Sequence, residues 1–346
     1  MTAELADFFR AFADYSLAGG YAPLYEEMVR AAADNPDVVE LVAASPPHAH
    51  LPNNLHAAAR YLLLTGVEHP LAAAYEPDFD GDIGALFCDL VLSHRSAISE
   101  LLATRHVQTN EVNRSAAIAP LLNLIAERER ARLALIDVGC SAGLNLSLDR
   151  YRIDIGDVVL GPTDAGLRLV SESRGTDPVD RPAEFAWRRG IDRDPIDVTD
   201  IDAVRWLESL VWPDHPDRLA RLRAAIAENQ AEPPPLVRAD AVQGLHDALR
   251  DAPSDLLTVI ITTWVVFYFD EDLRREFETA LTSADRPTAW LAMEQQGVVP
   301  DVEIPVYPEG DGEVSVMTLV SGGGGRAVTR EFLGFTHPHG AWVDLA

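Results

Sequence analysis

One segment constrains the fold of this chain more than any other: an apolar run that ends in a turn of small residues. The run covers Leu133 to Val138, and the turn at 139–143 reads Gly-Cys-Ser-Ala-Gly before an expected helix. Small residues let a ligand approach the backbone closely, and a helix N-terminus offers free N–H groups. Beyond this turn apolar strand patterns alternate with helical ones, which favours a mostly parallel sheet with helices on both faces.

The first hundred residues follow a helical pattern instead. Apolar residues recur on one helical face near the start, at Leu5, Phe8, Phe9, Phe12 and Tyr15. We therefore expect a helical N-terminal domain over 1–105 and an α/β domain over 106–346. Glycines 322–325 separate two apolar runs, Val314 to Val320 and Ala327 to Phe335, and predict an antiparallel C-terminal hairpin.

Charge and composition exclude several classes of function. The formal net charge is −27, which disfavours binding to nucleic acids and to anionic membranes. All 28 basic residues are Arg, so Schiff-base lysines and the lysine of a P-loop are excluded. Two cysteines are too few for a disulfide scaffold, and no apolar run is long enough to span a membrane. The start lacks the basic region of a signal peptide, so a cytoplasmic protein is expected.

The turn does not match the fingerprint of a dinucleotide-binding site. That fingerprint requires G-x-G-x-x-G, whereas Ser141 and Leu144 occupy two of the three glycine positions here. The segment from Asp137 to Asn145 resembles instead motif I of the class I S-adenosylmethionine-dependent methyltransferases, D-x-G-x-G-x-G. It is particularly similar to the Gly-Cys-Ser-small-Gly-x-Asn turn of the plant salicylate and benzoate carboxyl methyltransferases. A tight turn that binds no ligand is the alternative.

This resemblance implies a Rossmann-like, seven-stranded, mostly parallel sheet that binds S-adenosylmethionine through the first turn. The residues implied there are Asp137, Gly139, Cys140, Ser141, Ala142, Gly143 and Asn145. Asp192, in Gly-Ile-Asp at 190–192, resembles the acidic residue whose carboxylate accepts hydrogen bonds from both ribose hydroxyls. Asp240 and Ala241 resemble the end of the third strand, where the aspartate accepts a hydrogen bond from the adenine amine.

The spacing departs from the family in one place. Asp137 and Asp192 are 55 positions apart, whereas the usual gap to that acidic residue is about 20. An insertion of about 153–184 is therefore expected, as a β-rich flap beside the site. If this segment is not an insertion, Glu172 is the rival ribose ligand.

Candidate residues for the chemistry lie in two further segments. The apolar run from Asp255 to Phe269 resembles the fourth strand and its turn, which places Thr263, Trp264 and Tyr268 near the cofactor and the methyl acceptor. Ordinary aromatic core is the alternative for these rings. The polar segment 105–114 is expected to cover the pocket, with Gln108 or Arg114 on the methionine carboxylate; the alternative is an interhelical loop.

The candidate catalytic residues are Tyr268, His106 and Glu111. A base is needed only when the acceptor arrives protonated. His215, His337 and His339 give one close pair without a nearby Cys or carboxylate, so no metal site is expected.

The whole chain is also similar to members of a bacterial family known only as a domain of unknown function. The similar pieces are Gln108-Thr109-Asn110-Glu111, Gly190-Ile191-Asp192, Val211-Trp212-Pro213 and His337-Pro338-His339-Gly340. This resemblance brings no reaction with it, and the oligomeric state is left open.

The function expected from these motifs is methyl transfer from S-adenosylmethionine to a small molecule, with oxygen as the acceptor atom. A non-catalytic, S-adenosylmethionine-binding regulatory protein is the alternative, because Ser141 replaces a glycine and no base is assigned. A nicotinamide enzyme is disfavoured by the failed glycine fingerprint.

Overall fold

The protein is described here from a computed structural model that covers residues 2–17, 20–76, 79–108, 110–307 and 313–346. The chain forms two compact units. One unit contains residues 1–109 and 200–223 and is called the helical unit. The other contains 110–199 and 224–346 and is called the α/β unit. Residues 200–223 thus belong to the helical unit, although the sequence pattern had placed them in the α/β region.

Within the described ranges the helices have the following bounds. The α-helices are α1 Thr2–Ser16, α2 Pro23–Asp34, α3 Pro36–Ala43, α4 Pro52–Leu64, α5 Ile83–Ser93, α6 Arg95–Thr104, α7 Ser115–Glu129, α8 Ile201–Ser209, α9 Pro216–Ala231, α10 Ala241–Asp251 and α11 Glu271–Thr282. Short 3₁₀ helices cover Pro47–Ala49, Pro70–Tyr75, Val112–Arg114, Leu144–Arg150 and Val266–Tyr268.

Proline starts several helices of the helical unit. Pro23, Pro36 and Pro52 stand in the first turn of α2, α3 and α4, where the missing N–H costs no intrahelical hydrogen bond. The sequence predicts Asn53 or Asn54 as the cap of an apolar helical segment from Leu55, but α4 begins at Pro52. Asn54 lies inside that helix, and its amide nitrogen donates to the His48 carbonyl at 2.8 Å.

The apolar faces of these helices form one core. The buried residues of α2 recur at Tyr25, Met28, Val29, Ala32 and Ala33, the spacing of one helical face. The segment 83–104, which its sequence predicts as one long helix, is two helices, α5 and α6, because the chain breaks at His94. No helix in the described ranges combines the length and apolar character needed to cross a bilayer.

The α/β unit contains one large mixed sheet, most of whose strand pairs are parallel. Its strands are β1 Leu133–Val138, β2 Arg152–Ile155, β3 Val158–Leu160, β4 Arg168–Gly175, β5 Phe185–Asp192, β6 Leu236–Arg238, β7 Leu257–Thr263, β8 Pro287–Glu294, β9 Ser315–Gly323, β10 Thr329–Thr336 and β11 Trp342–Leu345. Their order across the sheet is β3-β2-β4-β11-β10-β9-β8-β7-β1-β5-β6.

Five neighbouring strands, β6-β5-β1-β7-β8, are all parallel. Every residue of β1 and of β7 is buried, which is why both read as continuous apolar runs rather than alternating ones. Beyond β8 the predicted hairpin is confirmed, since β9 pairs antiparallel with both β8 and β10.

The sheet has eleven strands, not the seven that the resemblance implied. The extra strands come from β11 and from the inserted segment. β11 pairs with β10 and with β4, and β4 pairs with β2, so the insertion extends the sheet beyond the hairpin. The inserted segment is rich in β-strands, as expected, but it is not a flap, because the backbone groups of β2, β3 and β4 find their partners within the sheet.

Candidate functional site

The candidate site lies at the carboxyl end of β1, where the order of the parallel strands across the sheet reverses. β1 stands between β5 and β7, so the chain passes from β1 to one side and later returns to the other. In open α/β sheets, ligands bind outside the carboxyl ends of the strands at such a point. Asp137, Asp192 and Thr263 lie at or next to the carboxyl ends of these three strands.

The turn after β1 is built around backbone conformations that few side chains tolerate. Gly139 and Gly143 have φ values of +74° and +69°, and Ser141 has +52°. The Gly139 N–H donates to the Ile191 carbonyl at 2.8 Å. A Cβ at Gly139 would overlap the side chain of Val265. Both the backbone and the packing therefore require glycine at 139, whether or not a ligand is present.

The helix expected after this turn is not an α-helix. Residues Leu144–Arg150 form a short 3₁₀ segment with non-helical angles at Ser147. Side chains take the carbonyls that an α-helix would use: Leu144 accepts from the Tyr151 hydroxyl at 2.8 Å, and Leu146 accepts from Arg188 Nη1 at 2.6 Å. The predicted helix N-terminus therefore contributes no anion site.

Asp192 reaches the turn directly. Its Oδ2 accepts the Ser141 N–H at 2.8 Å, and its Oδ1 accepts the Asp194 N–H at 2.8 Å. Glu172 lies on β4 in the other half of the sheet and pairs there with Arg174. Of the two rival carboxylates, Asp192 is the one beside the turn.

Two buried polar atoms at the turn have no hydrogen-bond partner in the described chain. They are Asp137 Oδ2 and Ser141 Oγ, and their residues are 1% and 5% exposed. Burial raises the pKa of the Asp137 carboxyl well above its usual range; the charge of Asp192 raises it further, and Arg114 opposes the rise. Because an orphaned buried polar atom is costly, these two atoms point to a bound polar group.

The segment 110–115 runs alongside the turn. Asn110 Nδ2 donates to the Cys140 carbonyl at 3.3 Å, and Ser115 Oγ donates to Asn145 Oδ1 at 3.0 Å. Glu111 is 2% exposed and accepts the Asn113 N–H at 3.2 Å. Cys140 and Ala142 are buried in the turn itself. Of this polar segment, the part from 110 onward therefore belongs to the strand-end site.

Arg114 donates hydrogen bonds both to the end of β7 and to the segment that contains Pro338. It is 7% exposed, its Nη1 donates to the Thr263 carbonyl at 2.9 Å, and its Nε donates to the Pro338 carbonyl at 2.9 Å. Asn113 Nδ2 donates to the Gly340 carbonyl at 2.9 Å. The similar piece at 337–340 is thus hydrogen-bonded to Asn113 and Arg114, which follow Glu111 in the chain. Thr109 lies outside the described residues.

Trp264 and Tyr268 follow β7 but differ in environment. Trp264 has a φ of +60°, and its indole N–H donates to Ser315 Oγ at 2.7 Å. Tyr268 is 78% exposed, and its ring packs against Phe267 with centroids 3.7 Å apart. Trp264 is therefore fixed by the protein, whereas Tyr268 presents its ring to solvent.

Glu294 is a site residue to which the sequence reasoning gave no role. It is 1% exposed, and its carboxylate accepts the Val265 N–H at 3.1 Å and the Val266 N–H at 3.1 Å. It holds the backbone that follows Trp264. Asp137 was predicted from its motif, whereas a carboxyl at the end of a buried parallel strand is a signal in the sequence that could have identified Glu294.

The remaining predicted residues lie elsewhere. Asp240 caps α10, accepting the Gln243 N–H at 2.9 Å, and Ala241 is the first residue of that helix. The segment before Asp240 is joined to the site through its backbone, since the Ala239 N–H donates to the Asp192 carbonyl at 2.9 Å. Gln108 and His106 belong to the helical unit.

His106 has its contacts within that unit. Its ring lies 4.1 Å from the His48 ring, and its carbonyl accepts from Trp206 Nε1 at 2.8 Å. No group of three His, Cys, Asp or Glu side chains in the described parts of the chain is placed to hold a metal ion.

Residues 6–345 match the model of a family described as "Uncharacterized protein conserved in bacteria (DUF2332)". No curated protein matches the chain.

Proposed function

The chain belongs to the DUF2332 family, and from that premise we propose that its α/β unit binds S-adenosylmethionine and transfers the methyl group to a small molecule. The five parallel strands run in the order 3-2-1-4-5 when they are counted along the chain, which is the order of a doubly wound, Rossmann-like sheet. The turn after the first of them is the one that resembles methyltransferase motif I.

The observation that carries the proposal is the unpartnered Asp137 carboxyl beside the unpartnered Ser141 hydroxyl. Asp192 adds a second carboxylate close to Asp137. A ligand with positive charge would satisfy these groups, and S-adenosylmethionine carries both a sulfonium and an ammonium. On the resemblance, its ribose hydroxyls would donate to the Asp192 carboxylate. Asp240 is proposed as the adenine contact on the resemblance alone.

The cosubstrate supplies an activated methyl carbon, which an acceptor atom attacks in line while the carbon–sulfur bond breaks and its electron pair stays on sulfur. The chain supplies alignment, which accounts for much of such an acceleration. Glu294 fixes the backbone after Trp264, and Arg114 fixes the carbonyl of Thr263. Glu111 and Tyr268 are the α/β-unit residues proposed to orient or deprotonate the acceptor.

Calorimetric titration of the full chain with S-adenosylmethionine and with its demethylated product tests the binding half of the proposal. We expect saturable heat with the wild type and affinity weakened about 100-fold or more in Asp137→Asn, because a buried charge partner is lost. The matched control is Asp255→Asn, which removes an exposed carboxylate of the same unit. Absence of heat at millimolar ligand would contradict the proposal.

The same titration has an expected pH dependence. Because the pKa of Asp137 is raised, its ionised form becomes more populated as the pH rises, and affinity for a cationic ligand should rise with it. We expect affinity to rise with pH in the wild type and this trend to be lost in Asp137→Asn. Equal slopes in the two proteins would remove Asp137 from the binding site.

A non-catalytic binding protein is the second candidate, favoured by Ser141 in a glycine position of the motif. Incubation with radiolabelled S-adenosylmethionine and a metabolite extract separates the two. Label transferred to an extract component supports the enzyme, whereas binding without transfer to any acceptor supports the regulatory protein.

A further inference from the structure

The helical unit buries a second set of polar groups, which we call the Arg60 cluster. It consists of Tyr25 on α2, His56 and Arg60 on α4, Tyr75, and Trp212. His56 and Arg60 are four residues apart on one helix, so they share a face. Tyr25 and His56 are fully buried, and Arg60 is 6% exposed. The cluster lies within one unit, and its interpretation does not depend on methyl transfer.

Arg60 is the charged member of this cluster. Its guanidinium carbon lies 3.8 Å from the centre of the Tyr75 ring, which provides a cation–π contact. No carboxylate of the described residues lies within ion-pair distance of it, and its Nε has no hydrogen-bond acceptor. Burial lowers the pKa of the Arg60 guanidinium, and the charge of Glu208, which lies beyond ion-pair distance, opposes this only in part. An anion in direct contact would therefore stabilise the buried charge.

The other members of the Arg60 cluster are neutral. His56 Nε2 contacts the Tyr75 hydroxyl at 3.1 Å, while His56 Nδ1 and the Tyr25 hydroxyl have no partner in the described chain. Burial, helped by the Arg60 charge, lowers the pKa of His56 to about 3, so its ring is neutral near pH 7. The Tyr25 ring lies 5.1 Å from the His56 ring and stacks on Trp212 at 4.5 Å.

These observations specify the chemistry of a missing partner. The edge of a guanidinium that includes Nε is the edge that a planar carboxylate meets through two parallel hydrogen bonds. The unpartnered Tyr25 hydroxyl can donate to the same anion, and the aromatic rings offer apolar surface to its carbon atoms. We propose that the Arg60 cluster is a binding site for a small organic carboxylate.

Benzoate and acetate are the probes, with benzamide as the neutral counterpart of benzoate and inorganic phosphate as the competing anion. Binding to the full chain is followed by calorimetry and by the shift in melting temperature, without S-adenosylmethionine present. We expect benzoate or acetate to bind and to raise the melting temperature, while benzamide and phosphate do neither. Binding of phosphate in preference to both carboxylates would overturn the assignment.

Arg60→Met and Arg60→Lys locate the site. Arg60→Met should keep or raise the melting temperature of the ligand-free protein, because an unpaired buried charge is removed. It should weaken carboxylate binding about tenfold or more. Arg60→Lys keeps the charge without the planar edge and should also weaken binding. Arg95→Met, at an exposed arginine of the same unit, should bind as the wild type does.

Tyr25→Phe removes one unpartnered hydroxyl at nearly constant volume. It provides a second test of the site if the Arg60 variants do not fold. We expect a folded protein with carboxylate binding weakened about threefold or more. If neither carboxylate binds the wild type, or if both Arg60 variants bind them unchanged, the cluster is not a carboxylate site.

Discussion

The two units leave buried groups of opposite charge type without hydrogen-bond partners in the described chain. In the α/β unit the strand ends carry buried acids, whereas the helical unit buries the Arg60 guanidinium among neutral aromatic groups. The α/β acids are not all alike. Asp192 and Glu294 accept backbone N–H groups, while Asp137 keeps an oxygen without a partner. Satisfied carboxyls fix the local chain, and the unsatisfied group in each unit marks the place where a ligand of opposite charge would complete it.

This difference bears on how the glycine turn is interpreted. Gly139 is explained by its φ and by the Val265 side chain beneath it, so it says little about a ligand. The unpartnered oxygen of Asp137, by contrast, has no explanation within the described protein. The polar atoms of the turn, and not its glycines, therefore point to a bound ligand.

Gly139→Ala should have the largest effect on stability, since it combines a left-handed conformation with overlap against Val265. We expect a loss of about 3 kcal/mol in the free energy of unfolding, measured by denaturant titration. Gly325→Ala is the control, because it has a φ of +74° and nothing within 4 Å of the added Cβ. It should cost about 1 kcal/mol.

Val265→Ala adds a further check on that glycine. If packing against Val265 is the cause, the double variant Gly139→Ala/Val265→Ala should be more stable than the sum of the two single losses predicts. Strict additivity would mean that the turn conformation alone, and not the side chain beneath it, requires glycine.

His56→Gln should have the next largest effect, seen as a change in pH dependence. The pKa of His56 is lowered to about 3 in the folded chain from 6.5, so the unfolded chain takes up the proton first as the pH falls. The wild type should therefore lose about 2 kcal/mol of stability between pH 6.5 and pH 5 from this group alone.

The measurement is chemical unfolding at a series of pH values. His56→Gln should flatten that part of the profile, whereas His246→Gln, at an exposed histidine, should leave it unchanged. A profile of the same slope in wild type and His56→Gln would show that His56 is not buried as a neutral ring.

Glu294→Gln should have the smallest effect of the three. The amide keeps one oxygen for the N–H groups of Val265 and Val266 but places a donor where the second oxygen stood. We expect a loss of about 1 kcal/mol, with Glu271→Gln, at an exposed position, near zero. A loss equal to that of Gly139→Ala would show that Glu294 supports more of the strand-end site than its own loop.

Much of the parallel half of the sheet follows from local sequence. The apolar run at 133–138 coincides with β1, and the expected fifth strand coincides with β8 apart from one residue. Both are buried on two faces, so their composition alone identifies them. The hairpin of β9 and β10 follows from its glycines in the same way.

Other features depended on residues far apart in the chain. The segment after Gly143 looks helical, yet side chains of Tyr151 and Arg188 take the carbonyls of its first residues. The order of the four strands beyond the hairpin, β11, β4, β2 and β3, could not be predicted from sequence. The residue pattern of a strand does not identify the strand with which it pairs. Asp192 was predicted beside the turn from its motif, and the Ser141 N–H that it accepts lies 51 positions away.

By itself, the sequence determined the classes of element, the acidic charge and the position of the turn after β1, because burial periodicity and small-residue turns are local properties of a chain. Only the tertiary structure decided which polar groups are satisfied. Arg114 and Glu294 find carbonyl and N–H partners from other segments, while Asp137 and Arg60 do not. Hydrogen-bond satisfaction depends on which segments meet in space, and that is set by the packing of the whole unit.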